Sequence, residues 1–370
     1  MRAHLARRVL AEGATAVDIL TTSDAGRSFL AALGSPARVL PSRYRLLYDG
    51  RHNLRAEESA RLLRRYLVSP RGLVRDVATM RRWSEDYDLV VDDSFHPSLV
   101  LGSLDPRWRR RIVHVRGDNL QGAVAQTLRD DVPWGGRALA AAFELACAGA
   151  GATVEHTLRP ADTPRARAVV RLPPLIASPT RCAAEVRAEL GAHDRPLAAV
   201  YLNPHFDDRR LAAAIVDALA DRGFVVHAVA EGLAPRAPWR AYDPRLTDVI
   251  AAADVLVAGP GMGALAHVAA YGVPMLALAS RQPEQQRNLA TLRSLPVASA
   301  VVDLGAPRSA VRLREALSAL ADAPRGSAHP ALSPARVHRA WRLTFEALAD
   351  LAGAPAVRPF PTLTQEPLHV

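Results

Sequence analysis

The sequence predicts an α/β protein made of two Rossmann-like, doubly wound domains. Three observations carry this. The chain has 370 residues, enough for about two domains of roughly 150 residues each. Short apolar runs of strand length alternate with longer segments of helical period, above all in the second half, as in parallel strands joined by crossover helices. One such run, 255–258, leads directly into a glycine turn, Gly259-Pro260-Gly261-Met262-Gly263, and then into a helix over 264–271.

Composition narrows the function. Hydrophobic residues make up 49% of the chain, so a substantial core can be buried. The formal net charge is +10, but every one of the 47 basic residues is arginine. These arginines are scattered among acids, without aromatic stacking motifs beside them, which argues against a specific nucleic-acid partner. The two cysteines, Cys147 and Cys182, have no metal-ligand spacing and form no disulfide framework. No apolar run approaches the roughly 20 residues of a membrane span, and the N-terminus lacks the apolar core of a secretory signal. The expectation is a cytoplasmic protein, its basic surface allowing peripheral contact with an anionic inner membrane face.

In chain order, Leu5, Val9 and Leu10 mark a first helix that Gly13 can end, and 17–20 reads as a strand. The stretch 24–85 is Arg-rich and poorly periodic, with amphipathic helices over 56–68 and 73–83. Their arginines (Arg61, Arg64, Arg65, Arg75, Arg81, Arg82) form a solvated face or a docking face for an anionic membrane or other anionic ligand. A strand over 88–91 ends in Asp92-Asp93-Ser94-Phe95-His96-Pro97. Acids and a histidine at the carboxyl end of a strand suit acid–base chemistry, since a carboxylate can orient an imidazole that takes a hydroxyl proton. The candidate catalytic residues are therefore Asp92 or Asp93 with His96. The alternative is that Asp93 and Ser94 cap the next helix. A strand over 111–115 is followed by the loop Arg116-Gly117-Asp118-Asn119, another position at a sheet's carboxyl end. A helix over 138–148 and strands over 153–158 and 168–172 close the first domain, residues 1–172. Prolines mark a linker over 173–181.

The second domain, 182–334, opens with a strand over 197–202 and the loop Asn203-Pro204-His205-Phe206. Asp207 is the expected N-cap of a helix running to Asp221, Gly223 ends it, and 224–229 is the next strand. A helix over 246–252 leads to the 255–258 strand. Past the glycine turn and its helix, a strand over 273–279 is followed by a polar loop, 280–287, and a helix opening at Asn288. A long amphipathic helix covers 335–352, and a Pro-rich tail, 353–370, ends the chain. A glycine turn between a strand and a helix is an anion site: glycine lets a ligand approach backbone, and free N–H groups with the helix dipole favour negative charge.

At Ala253-Asp254, the 259–263 turn, Gly272-Val273-Pro274, Glu284-Gln285 and Asn288 the sequence resembles the nucleotide-sugar half of GT-B glycosyltransferases, the broad set that includes the MurG-like N-acetylglucosaminyltransferases and the UDP-glycosyltransferases. The resemblance implies two Rossmann-like domains facing a cleft, and an inverting, metal-independent transfer from a UDP- or dTDP-sugar to an acceptor hydroxyl, with no further cofactor. It implies that Gly259, Gly261, Met262 and Gly263 lie near the donor diphosphate. Glu284 and Gln285 fall where the family contacts donor-sugar hydroxyls. His267 stands where the family often has a ribose-binding Glu. Asn203 and His205 replace small residues and could donate to a phosphate. The acceptor would be a small or lipid-linked molecule, and the terminal helix would return to the first domain. The family's opening strand, Gly-rich loop and frequent histidine have no counterpart here: either the start is misplaced or the unit is lacking. A catalytically inactive nucleotide-binding relative and a nucleotide-sugar epimerase or hydrolase of the same fold are the alternatives. The epimerases' paired-Glu helix is missing at Ala266-His267-Val268.

Overall fold

The computed structural model of the chain describes residues 2–12, 16–40, 42, 47, 49–50, 55–68, 70–94, 96–131, 136–158, 169–202, 206–234, 237–306 and 309–353. The chain divides into two compact units. The first comprises 1–46, 56–175 and 335–370, the second 47–55 and 176–334.

In the first unit, β1 (Ile19–Thr21) pairs in parallel with β2 (Ala37–Val39) across the helix Asp24–Ala32, which Ser23 caps. A second parallel sheet holds β3 (Val90–Asp92), β4 (Ile112–Gly117), β5 (Ala152–His156) and β6 (Val169–Leu172), side by side in chain order. Among the described residues no strand joins the two sheets. The stretch 24–85, read from the sequence as poorly periodic, holds a helix and a strand before residue 56. Nine helical residues and three strand residues are too few to show a period. The helices Ala56–Val68 and Pro70–Ser84 form as expected, and all six arginines of their polar faces are exposed. Leu40, Met80, Leu99, Trp108 and Ile112 make one core cluster, with the Trp108 indole N–H donating to Ser84 Oγ at 2.9 Å. The terminal helix Pro334–Gly353 belongs to this unit, where Trp341, 2% exposed, donates to the Pro173 carbonyl at 2.7 Å and stacks on Phe345.

The second unit holds six parallel strands: β7 (Leu197–Tyr201), β8 (Val225–Val229), β9 (Trp239–Arg240), β10 (Val255–Ala258), β11 (Met275–Ala279) and β12 (Ser299–Asp303). Their order is β12-β11-β10-β7-β8-β9. Counted from β7, this is the 3-2-1-4-5-6 order of dinucleotide-binding sheets, and the direction of winding reverses between β7 and β10. Both strands are apolar because helices cover both faces of the sheet; Leu197, Val200, Leu256 and Val257 are at most 1% exposed. Asp254 ties the sheet together below the turn: its Oδ2 accepts from the Leu197 N–H at 2.7 Å and from Arg187 at 2.9 Å. The helix Arg209–Ala220 is capped by Asp208, which accepts from the Leu211 N–H at 3.0 Å, in place of the expected Asp207. The N–H groups of Asp207 and Asp208 both go to the carbonyl of Gly50, so 47–55 is an excursion of the first half of the chain that the sequence does not signal. Among the described residues no helix is long and apolar enough to cross a membrane.

Candidate functional site

The glycine turn follows β10, at the reversal of winding. Gly261 is the N-cap of the helix Met262–Tyr271, with extended backbone (φ −76°, ψ 153°). The N–H groups of Met262, Gly263 and Ala264 have no acceptor inside the helix, and its first turn holds no acid to neutralise the positive end of the dipole. An added Cβ at Gly261 or Gly263 would meet nothing within 4 Å. The protein itself therefore does not require glycine at either position, and the space before the N–H groups is open. The Met262 side chain is buried, 4% exposed, which leaves its backbone as the group able to meet a ligand. At the far end Gly272 closes the helix in the left-handed region (φ +65°). A Cβ there would lie 2.1 Å from the Gly326 carbonyl oxygen.

His267 lies on this helix, one turn in. Its Nδ1–H donates to the Gly263 carbonyl at 2.7 Å, and its Nε2 faces Thr247 Oγ1 at 3.3 Å. Burial holds its pKa below the usual value, against the opposing pull of the Gly263 carbonyl.

The helix expected to open at Asn288 opens five residues earlier and spans Pro283–Ser294, with Gln282 as N-cap. Pro283 is the reason: at N1 its missing N–H is no loss and its fixed φ suits a helix. Glu284 and Gln285 therefore sit on a first helical turn and not on a loop. Glu284 is half-buried. Gln285 is 6% exposed, and its Oε1 accepts from the Ser280 N–H at 3.0 Å and the Ser280 hydroxyl at 2.9 Å. Asn288 points inward with no exposed surface and donates to the Pro260 carbonyl at 3.0 Å. This fixes the glycine turn from below.

In the first unit the expected pairing of Asp92 with the His96 imidazole is replaced by another. Asp92 is 2% exposed. Its Oδ1 accepts from the Ser94 N–H and hydroxyl, both at 3.1 Å, and from the His96 backbone N–H at 3.4 Å. Its Oδ2 faces Nδ1 of His114 at 3.1 Å. Two causes separate Asp92 from the His96 ring. The β3–β4 register sets Asp92 opposite His114. His96 is the N-cap of the helix Pro97–Gly102, so its Nδ1 accepts from the Ser98 N–H at 3.3 Å, while its Nε2 faces Ser42 Oγ at 3.1 Å. His96 is 3% exposed, and burial holds its pKa down against the raising fields of Asp92 and Asp76. His114 continues inward through Nε2 to Ser103 Oγ, 3.0 Å away. The Ser103 hydroxyl also donates to the Leu99 carbonyl at 3.0 Å, which ties this chain of contacts to the helix Pro97–Gly102. Asp93 is exposed.

The structure thus gathers Gly259, Gly261, Met262, Gly263 and His267 on one strand–turn–helix unit, with Gln285 on the next helix. Asp92, Asp93 and His96 share one turn in the other unit. Asn203 and His205 lie outside the described residues. His114, absent from the sequence-based candidates, was detectable as a polar residue within the fully buried strand Ile112–Gly117, opposite Asp92.

No protein-family model matches the sequence, and no curated protein matches it. Solved structures do. The chain is similar to Arabidopsis thaliana UGT89C1 complexed with UDP (TM-score 0.58, 15% identity, 94% of this chain and 95% of that one). It is also similar to Anabaena Alr3699/HepE in complex with UDP-glucose (TM-score 0.52, 15% identity, 93% and 96%). MurG of Acinetobacter baumannii matches with a TM-score of 0.52 and 14% identity over 93% and 94% of the chains. The fold is GT-B, over nearly the whole chain.

Proposed function

We propose that this chain transfers a sugar from a nucleoside-diphosphate donor to an acceptor hydroxyl, with the donor held in the second unit and acceptor chemistry in the first. The observation that carries this reading is the position of the 259–263 turn: open glycine N–H groups at the reversal of winding of a 3-2-1-4-5-6 sheet, where α/β folds take their ligands. The UDP and UDP-glucose complexes of the structural neighbours support a uridine diphosphate sugar as donor. The N–H groups of the turn and the helix dipole would stabilise the departing diphosphate without a metal. Direct displacement would invert the anomeric carbon. The acceptor proton would go to the 92–96 turn, where Asp93 is the exposed carboxylate and the buried Asp92 and His96 hold the turn in shape. Glu284, on the first turn of its helix, would meet the sugar hydroxyls, and Gln285 would support it through Ser280.

A thermal-shift titration with UDP, dTDP, GDP and their sugars tests this. A ligand at about 100 times its dissociation constant adds roughly 2.7 kcal/mol to stability, so the donor series would stand out. Absence of any shift would overturn the donor assignment. With the responding donor, Glu284→Ala should lower transfer while leaving the melting temperature in place, and unchanged donor affinity and activity would remove Glu284 from the site. The imidazole at 267, in place of a ribose-binding carboxylate, favours a second reading: a nucleotide-binding protein without turnover. Donor binding with no transfer to any acceptor would select it.

A further inference from the structure

We propose that the first unit carries an oxyanion site of its own, at the strand–turn–helix formed by β4, the turn 118–119 and the helix Leu120–Asp131. Arg116, near the carboxyl end of β4, is 5% exposed. Its Nη2 donates to Glu155 at 2.9 Å, but its buried Nε and Nη1 have no partner. Two residues on, Asp118 accepts from the Thr157 hydroxyl at 2.7 Å through Oδ2, and its buried Oδ1 has no partner. Buried polar groups are nearly always hydrogen-bonded. Three unpartnered atoms on two residues at one strand end therefore mark a place built for groups the chain does not supply.

Charge and position identify those groups. The β4–β5–β6 register lines up Arg116, Glu155 and Arg171, with Arg171 Nε 3.7 Å from Glu155. With Asp118 the site holds two guanidinium groups and two carboxylates, and the unmatched donors are Nε and Nη1 of Arg116. Residues 118–122 are half-exposed, and the N–H groups of Leu120, Gln121 and Gly122 at the start of the helix have no acceptor inside it. The ligand is a molecule with an oxyanion, carboxylate or phosphate, next to a hydroxyl: the oxyanion accepts from Arg116 and the helix N–H groups, and the hydroxyl donates to Asp118. Such a site makes the first unit selective for an acidic acceptor.

The test is a thermal-shift titration of the full chain with inorganic phosphate and, separately, acetate, at constant ionic strength. It compares the wild type, the charge-balanced double variant Arg116→Gln/Glu155→Gln, and Asp118→Asn. Because the 259–263 turn can also take phosphate, crystals soaked in selenate locate the anion by anomalous scattering. Expected are a selenate peak at Arg116 and the Leu120 helix end, about a tenfold weaker anion response in the double variant, and a response kept by Asp118→Asn. Preference for phosphate or acetate tells a phosphorylated ligand from a carboxylic acid. The proposal is overturned if the double variant responds as the wild type does, if neither anion shifts the wild type, or if soaked crystals show only water at Arg116. Should the double variant fail to fold, the selenate position in wild-type crystals decides.

Discussion

The Asn288 amide donates to the Pro260 carbonyl at 3.0 Å, joining a helix interior to a turn 28 residues earlier, with no exposed surface on Asn288. Asn288→Leu leaves that carbonyl without this donor, and the expected loss is about 1–3 kcal/mol in urea denaturation. Asn288→Asp places an ionised acceptor against a carbonyl. It should be less stable at pH 8 than at pH 5, where a protonated carboxyl can donate again. A variant that unfolds at the wild-type urea concentration at both pH values would show that the bond does not hold the turn.

The glycines of the same helix should separate by role. Gly272→Ala forces a left-handed φ on a residue with a Cβ and drives that Cβ against a backbone carbonyl, so loss of more than about 2 kcal/mol is expected. Gly261→Ala meets open space and should keep the melting temperature while weakening nucleotide binding. Equal stability of the two variants would contradict the packing described here.

Asp92 should act as a structural hub. Asp92→Ala removes the acceptor for the Ser94 and His96 N–H groups and the partner of His114 inside the fold, with an expected cost of roughly 1–3 kcal/mol. Asp92→Asn keeps an acceptor for the turn and should cost clearly less. Chemical denaturation of both variants checks the order.

Acid should destabilise the fold through His96. Burial first, against the raising fields of Asp92 and Asp76, lowers its pKa from 6.5 in the folded state, so the unfolded chain takes the proton first. Stability is complete above about 6.5 and falls as pH drops towards the folded value. Protonation also removes the Nδ1 acceptor of the Ser98 N–H. Melting temperatures between pH 7.5 and 5 should fall less steeply for His96→Asn than for the wild type.

The second unit was the more legible in the sequence. Its strands are apolar throughout, and its turn has the glycines that an open helix N-terminus tolerates. The start of the Pro283–Ser294 helix was not legible, because Glu284, Gln285 and Gln286 read as loop until Pro283 is recognised as N1. In the first unit the choice of histidine partner was hidden. Asp92 stands four residues from His96 and 22 from His114, and only the strand register brings the distant one opposite. The partnerless atoms of Arg116 and Asp118 depend on burial, which no local pattern records.

The first unit is assembled from three separated stretches, with 47–55 and 176–334 given to the second. During synthesis, residues 56–175 leave the ribosome while the helix that buries Trp341 has yet to be translated. At about 5–20 residues per second, that wait is on the order of ten to thirty seconds. The second unit has its last strand in hand before the first is complete. Cutting the chain at 175 would therefore yield no intact first unit, because its closing helix is encoded at the other end.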